Sequence, residues 1–92
     1  MGTIYGRWRT QMDTRKQASL RIQQLCAMHG YNIHSLARKA GIPPTTLKNI
    51  IYGNSRNPGI VTIKLVCDGL GISLYDFFDT ATFRSLEPED ME

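Results

Sequence analysis

Residues 36–53 have the sequence LARKAGIPPTTLKNIIYG, which contains the most specific structural pattern of the chain. Small and apolar residues recur at helical spacing on both sides of Gly41, a residue that suits a left-handed turn. Only Gly41, Ile42 and Pro43 connect the two halves, and Pro44 fits the first helical position because its missing N–H needs no partner there. The stretch therefore predicts two short helices joined by a tight turn, a helix-turn-helix. Its expected buried positions are Leu36, Ala37, Ala40, Ile42, Leu47 and Ile50.

A longer helix is predicted before this unit. Thr14, followed by Gln17 three positions later, matches a capping box, and Gly30 supplies a left-handed helix end. Asn32 is the expected cap of the second helix, and Gly53 is expected to close the third. Three helices should therefore follow one another with short connections.

Two more helices are predicted after the loop at residues 53–59, which is rich in Gly, Asn, Ser and Pro. Apolar residues recur at helical spacing from the end of this loop to Gly71. Ser73 then caps a short fifth helix, with Asp76 at its third position near the positive end of the helix dipole. The prediction is an all-α domain of five helices.

The length of the chain allows one domain with two flanking segments. Ninety-two residues are too few for two independent cores, which usually need about 100 residues each. Residues 1–13 have no sustained period and are expected to be a flexible leader or extension. Residues 14–79 carry the helical pattern, and residues 80–92 are expected to form an acidic C-terminal tail or a frayed helix.

Charge is distributed unevenly along the chain. Residues 14–67 contain eight Lys and Arg side chains and no Asp or Glu, whereas residues 68–92 contain seven acids and one Arg. A segment of this length without a carboxylate is a candidate polyanion-binding surface, because each acid there would repel phosphate.

The quoted stretch resembles the helix-turn-helix of the Cro and lambda-repressor-like transcriptional regulators. Residues 57–78, NPGIVTIKLVCDGLGISLYDFF, resemble the fourth and fifth helices of the same domain, so the resemblance covers residues from about 15 to 78. It implies a five-helix lambda-repressor-like DNA-binding domain whose third helix enters the major groove of double-stranded DNA. It also implies a bacterial or phage transcriptional regulator, most simply a repressor, that is a homodimer at least on DNA.

Within that resemblance, the third helix carries the candidate base-reading residues. Pro43 and Pro44 stand where family members commonly have Ser and a residue such as Gln, so base reading is expected further along the helix. Asn49 matches the N6 and N7 edge of adenine, Lys48 can donate to guanine or phosphate, and a Thr methyl can contact thymine. The candidates are Pro44, Thr45, Lys48, Asn49 and Tyr52.

Phosphate contacts are expected at two places beside the third helix. One is the start of the second helix, where unpaired backbone N–H groups and the helix dipole favour an anion. The other is the loop that follows the third helix. The candidates are Asn32, Arg38, Ser55, Arg56 and Asn57.

Catalysis and metal binding are not indicated by the residue pattern. His29 and His34 are separated by a glycine break and form no helical metal-binding pair. Apart from Asp13, every acid lies at residue 68 or later, and none has a nearby His or Ser in an arrangement that suggests a catalytic triad or a paired-carboxylate site. Cys26 and Cys67 lie in apolar helical patterns, with no CxxC. We expect no enzyme activity, no cofactor, no metal and two buried, reduced thiols.

Membrane insertion is not expected either. No apolar run approaches the roughly 18 residues of a membrane span, and the first ten residues have no apolar signal region. These features predict a cytoplasmic protein without membrane contact.

A protein-interaction module is the alternative function. The apolar residues near the acidic end could pair two subunits or bind a protein partner, as an antitoxin-like protein or a co-regulator does. These residues are Leu74, Tyr75, Phe77, Phe78 and Phe83, of which Phe78 and Phe83 are expected to be exposed. In that case the lack of acids in residues 14–67 would be a coincidence.

Overall fold

The computed structural model describes residues 13–89 as an all-α domain, which confirms the predicted fold class. The predicted leader lies outside the described residues except for Asp13, as do the last three residues of the acidic end. In the described part no helix is long and apolar enough to cross a membrane. The helices are α1 (Thr14–His29), α2 (Ile33–Ala40), α3 (Pro44–Ile51), α4 (Ile60–Leu70), α5 (Leu74–Phe78) and α6 (Ala81–Arg84). The one-turn helix α6 lies within residues 80–92, the segment expected to be a frayed helix or a tail.

The core is made by the apolar residues that recur at helical spacing. Leu36, Ala37, Leu47 and Ile50 of the helix-turn-helix are buried as predicted, and Ile42 packs against them from the turn. α1 and α4 contribute the opposite side of this core. The remaining buried members are Ile22, Leu25, Cys26, Ile63, Val66, Cys67, Leu70 and Phe77.

Local capping signals set most helix boundaries. Asn32 and Ser73 each form a complete capping box, with Ser35 and Asp76 respectively. Gly41 ends α2 at a φ of 75°, and its N–H donates to backbone carbonyl groups near the end of that helix. A side chain at this φ would be strained, so glycine makes the tight turn between α2 and α3 possible.

The close packing of α2 against α4 depends on a missing side chain. A Cβ atom placed on Gly69 would lie 3.1 Å from the Cα atom and from the backbone nitrogen of Ala40. Such contacts are tighter than normal van der Waals packing. Gly69 and Ala40 therefore let the two helix backbones approach, which holds the helix-turn-helix against the rest of the core.

The predicted capping box at the start of α1 is wrong. Asp13 is the cap, and its Oδ1 atom accepts a hydrogen bond from the Lys16 amide at 2.9 Å. Gln17 is buried, and its Nε2 atom donates to the hydroxyl of Thr82 at 3.1 Å. The physical reason is that the Gln17 side chain faces the core. Its amide binds Thr82, 65 positions away, and does not reach back to the start of the helix.

The expectation that Phe78 and Phe83 are exposed is also wrong. Both are half-buried and pack against the core. The ring centroid of Phe78 lies 4.8 Å from that of Phe77 and 4.9 Å from that of Phe83, with nearly perpendicular rings in both pairs. Phe83 reaches this cluster because α6 folds back against α1. Among the apolar residues near the acidic end, Tyr75 is instead the exposed one, at 74% exposure.

Arg21 ties α1 to the C-terminal end of α5. Its Nε atom donates to the carbonyl of Phe77 and its Nη2 atom donates to the carbonyl of Asp76, both at 2.8 Å. Its Nη1 atom also donates to the side-chain oxygen of Gln24. The last carbonyl groups of a helix have no partner within the helix, and a cation there also interacts favourably with the dipole. Arg21 is thus a structural residue.

Replacing Arg21 with Met is expected to lower the free energy of unfolding by about 1 to 2 kcal/mol, because the charge-assisted hydrogen bonds to α5 are lost. Methionine retains the aliphatic part of the side chain, so packing along α1 changes little. Urea unfolding followed by circular dichroism measures the change. Arg38→Met is the matched control: Arg38 is exposed, and this change should have an effect below about 0.5 kcal/mol. Equal stability of the two variants would contradict the structural role of Arg21.

Candidate nucleic-acid interface

One face of α3 is formed by exposed polar and aromatic residues. Thr45, Lys48, Asn49 and Tyr52 follow the i, i+3, i+4, i+7 spacing of one helix face, and all four are exposed. Leu47 and Ile50 lie on the opposite, buried side. The packing of α3 thus presents the predicted base-reading residues together, away from the core.

Proline residues form the start of α3. Pro43 is the N-cap, makes no side-chain capping bond and is followed by Pro44 at the first helical position. Both are exposed. Pro44 offers only apolar contact, since proline has no N–H donor. The polar part of the exposed α3 face therefore begins one residue later, at Thr45.

The loop after α3 is attached to the end of that helix. Gly53 adopts a φ of 78°, and the amides of Asn54 and Ser55 both donate to the carbonyl of Asn49, at 2.8 and 3.0 Å. Arg56 follows directly and is exposed. Asn57 is also exposed, whereas Ser55 is half-buried. The backbone bonds hold the predicted phosphate-binding loop next to the exposed face of α3.

The start of α2 has two backbone N–H groups without a partner in the helix. The oxygen Oδ1 of Asn32 accepts from the Ser35 amide at 2.8 Å, and the Ser35 hydroxyl accepts from the Asn32 amide at 2.9 Å. The amides of Ile33 and His34 remain at the positive end of the helix dipole. The first turn contains no acid, so an anion meets no carboxylate from α2 there.

Three cations near these elements have no acidic partner among residues 13–89. Arg38, Lys48 and Arg56 are exposed, and none forms a salt bridge with another residue between 13 and 89. An uncompensated surface cation is available to bind phosphate without first breaking an internal ion pair. The charge pattern expected from the sequence is therefore present on the helix-turn-helix and its following loop.

Other cations of residues 14–67, the segment without Asp or Glu, have partners within the protein. Lys64 pairs with Asp68 one helical turn later on α4. Arg15 pairs with Asp13, with 3.5 Å between Nη2 and Oδ2, and Arg21 binds the end of α5. Only the Lys64 pair has a local signal in the sequence, the i,i+4 spacing of opposite charges.

Neither the two cysteines nor the potential metal ligands of residues 13–89 are arranged as a reactive site. Burial raises the pKa of the Cys26 thiol, and burial together with the nearby Asp68 carboxylate raises that of Cys67. Both thiols are therefore protonated at neutral pH and weakly nucleophilic. No group of three or more His, Cys, Asp or Glu side chains between residues 13 and 89 could hold a metal ion.

Comparisons with known proteins agree with this geometry. The family model described as "Cro/C1-type HTH DNA-binding domain" matches residues 21–82. A solved structure, "Crystal structure of the prophage Lp1 protein 11", is 32% identical with a TM-score of 0.71, covering 79% of this chain and 96% of that chain. None of the curated proteins matches. The matched residues include both helices of the helix-turn-helix, its turn and the following loop, and the chain belongs to the Cro/C1-type helix-turn-helix DNA-binding domain family.

Proposed function

We propose that this chain is a sequence-specific regulator of transcription that binds double-stranded DNA with α3 in the major groove and represses by occupying its operator. The observation that carries the proposal is the α3 face, on which Thr45, Lys48, Asn49 and Tyr52 are exposed together. The major groove is wide enough for an α-helix and displays a distinct donor and acceptor pattern for each base pair. Binding alone accomplishes this function, without a chemical step or a cofactor.

Asn49 is the principal base-reading residue in this proposal. Its side-chain amide can donate to N7 and accept from N6 of one adenine, a two-bond contact that distinguishes A·T from the other pairs. Its backbone carbonyl already accepts the amides of Asn54 and Ser55, which steadies the helix end that carries it. Lys48 adds a donor for guanine or phosphate, and Thr45 and Pro44 offer apolar contact to thymine methyl groups. Tyr52 extends the same face.

Phosphate contacts on both sides of α3 fix the register of the helix in the groove. At the start of α2, Asn32 and the backbone N–H groups that follow it can bind one phosphate. Arg38 adds a cation on the same helix. The loop after α3 supplies the other group, Ser55, Arg56 and Asn57. Such contacts give most of the affinity and little of the sequence preference.

A homodimer on DNA completes the proposal. A two-fold symmetric dimer places two α3 helices in successive turns of the major groove and therefore prefers an inverted repeat. Each monomer contributes the same helix face, so the operator halves are related by the same two-fold axis.

The protein-interaction alternative has less support. It relied on an exposed apolar surface near the acidic end, but Phe77 is fully buried and Phe78 and Phe83 pack against it. Of that group only Tyr75 is largely exposed. A single exposed tyrosine is a normal surface feature and does not make an apolar interface.

Binding of labelled duplex DNA at several salt concentrations tests the proposal, with Arg56→Ala as the informative variant. Losing one phosphate contact should weaken binding to all sequences alike and reduce the slope of log K against log salt by about 1. Fluorescence anisotropy gives both quantities. Arg84→Ala is the control, because Arg84 is also an exposed arginine but lies on α6, where it pairs with Asp79. The proposal fails if the wild-type protein does not bind duplex DNA.

A further inference from the structure

A groove lies between the start of α1 and the end of α3, and we call it the α1–α3 groove. Its volume is about 360 Å³. One wall belongs to the first turns of α1, and the other is the C-terminal end of α3 with the turn that follows. The lining residues on the second wall are Ile51, Tyr52 and Gly53.

A hydrogen bond between the walls holds the groove in place, and a second bond within α1 supports it. The hydroxyl of Ser19 on α1 donates to the carbonyl of Ile51 at the end of α3, at 2.6 Å. The Nε2 atom of Gln23 donates to the same hydroxyl at 3.1 Å. The first turns of α1 therefore have a fixed position relative to Tyr52, which belongs to the proposed DNA-reading face.

Basic side chains line the α1 wall. Arg15 and Lys16 both contribute, and Asp13 is the only acid among the lining residues. Lys16 forms no salt bridge with another described residue, and Arg15 has only its 3.5 Å contact with Asp13. The groove thus presents positive charge directly beside the end of α3.

An anion from the other end of the chain is held at this helix start. The Oε2 atom of Glu89 accepts a hydrogen bond from the amide of Thr14 at 2.9 Å. Thr14 lies between Asp13 and Arg15, which both line the groove. Glu89 is 75 residues away in the sequence, so this contact brings one carboxylate of the C-terminal end to the first residue of α1.

We propose that the α1–α3 groove is a further contact for the DNA backbone, at which a phosphate competes with the carboxylate of Glu89 for the start of α1. The inference rests on the proposed function, because the groove adjoins Tyr52 and the loop that carries Arg56. A phosphate there is attracted by Lys16, Arg15 and the helix dipole, and the Glu89 carboxylate already accepts from the Thr14 amide at the start of the same helix. The acidic end therefore weakens DNA binding by occupying part of the interface.

The test uses the full chain with two substitutions and two matched controls. Glu89→Gln keeps an acceptor for the Thr14 amide but removes the charge, and Asp79→Asn removes the same charge from a carboxylate that pairs with Arg84. Lys16→Gln removes a cation from the groove, and Lys64→Gln removes one from α4 that pairs with Asp68. Anisotropy measurements with one labelled duplex give the Kd of each variant at low and at physiological salt.

We expect Glu89→Gln to tighten DNA binding about two- to fivefold at low salt and Lys16→Gln to weaken it by a similar factor, the size of a charge effect at a helix end. Both differences should shrink as salt rises, and each should exceed that of its control. If either substitution matches its control, only net charge matters and the inference is overturned while the proposed function stands. If wild type and variants all fail to bind duplex DNA, the proposed function is overturned as well.

Discussion

Replacing Phe77 with Ala is expected to lower the free energy of unfolding by about 3 to 5 kcal/mol. Phe77 is fully buried, and its ring centroid lies 4.8 Å from that of Phe78 and 6.1 Å from that of Phe83. The substitution removes a large apolar side chain from the core. It leaves a cavity beside Phe78 and Phe83 that small shifts of α5 and α6 would not fill. A domain of this size commonly has a total stability of roughly 5 to 15 kcal/mol, so the variant should be close to unfolding.

Tyr75→Ala is the matched control for this prediction. Tyr75 lies on the same short helix, two residues earlier, but is 74% exposed. Its loss should change the free energy of unfolding by less than about 0.5 kcal/mol. Urea unfolding followed by circular dichroism compares the two variants. Similar stabilities would mean that the aromatic cluster does not anchor the C-terminal helices.

Replacing Asn49 with Ala is expected to remove about 1 to 3 kcal/mol of discrimination at one base pair of the preferred site, with little change in stability. The side chain is exposed, so no core contact is lost, and the backbone carbonyl still accepts the amides of Asn54 and Ser55. Alanine also favours the helix more than asparagine does. The expected result is loss of preference at one position, with binding to nonspecific DNA unchanged.

Asn54→Ala controls for the loss of an exposed asparagine side chain. Asn54 lies in the loop after α3, outside the exposed helix face. Competition binding with duplexes that carry each of the four base pairs at every position of the preferred site measures the effect. An unchanged preference in Asn49→Ala, or an equal change in Asn54→Ala, would show that Asn49 is not the reading residue.

Local sequence signals were sufficient to predict most of the fold. Asn32, Gly41 and Ser73 act through bonds to residues within a few positions, and such bonds can be predicted from spacing alone. The helical period likewise predicted that Leu36 and Leu47 are buried. These predictions succeeded because each depends only on the geometry of one helix or one turn.

The features that were missed depend on contacts between distant residues. Gln17 was predicted to cap α1, but Thr82 binds its amide, and α6 brings Phe83 into the core. Arg21 was one of the eight cations in the predicted basic surface. In the structure its guanidinium instead donates to the carbonyl groups at the end of α5. Helical periodicity contains no information on which side chains from separate helices meet. The contact of Glu89 with α1 was missed for the same reason.

Sequence-specific binding by α3 is tested by using the purified protein to select duplexes from a random DNA pool at roughly physiological ionic strength. Nonspecific phosphate binding is much weakened under these conditions, so enrichment reports base reading. We predict enrichment of an inverted repeat whose half-site centres lie about one helical turn, roughly 34 to 36 Å, apart. Retention of DNA without enrichment of any sequence, or no retention at all, would contradict sequence-specific reading by α3.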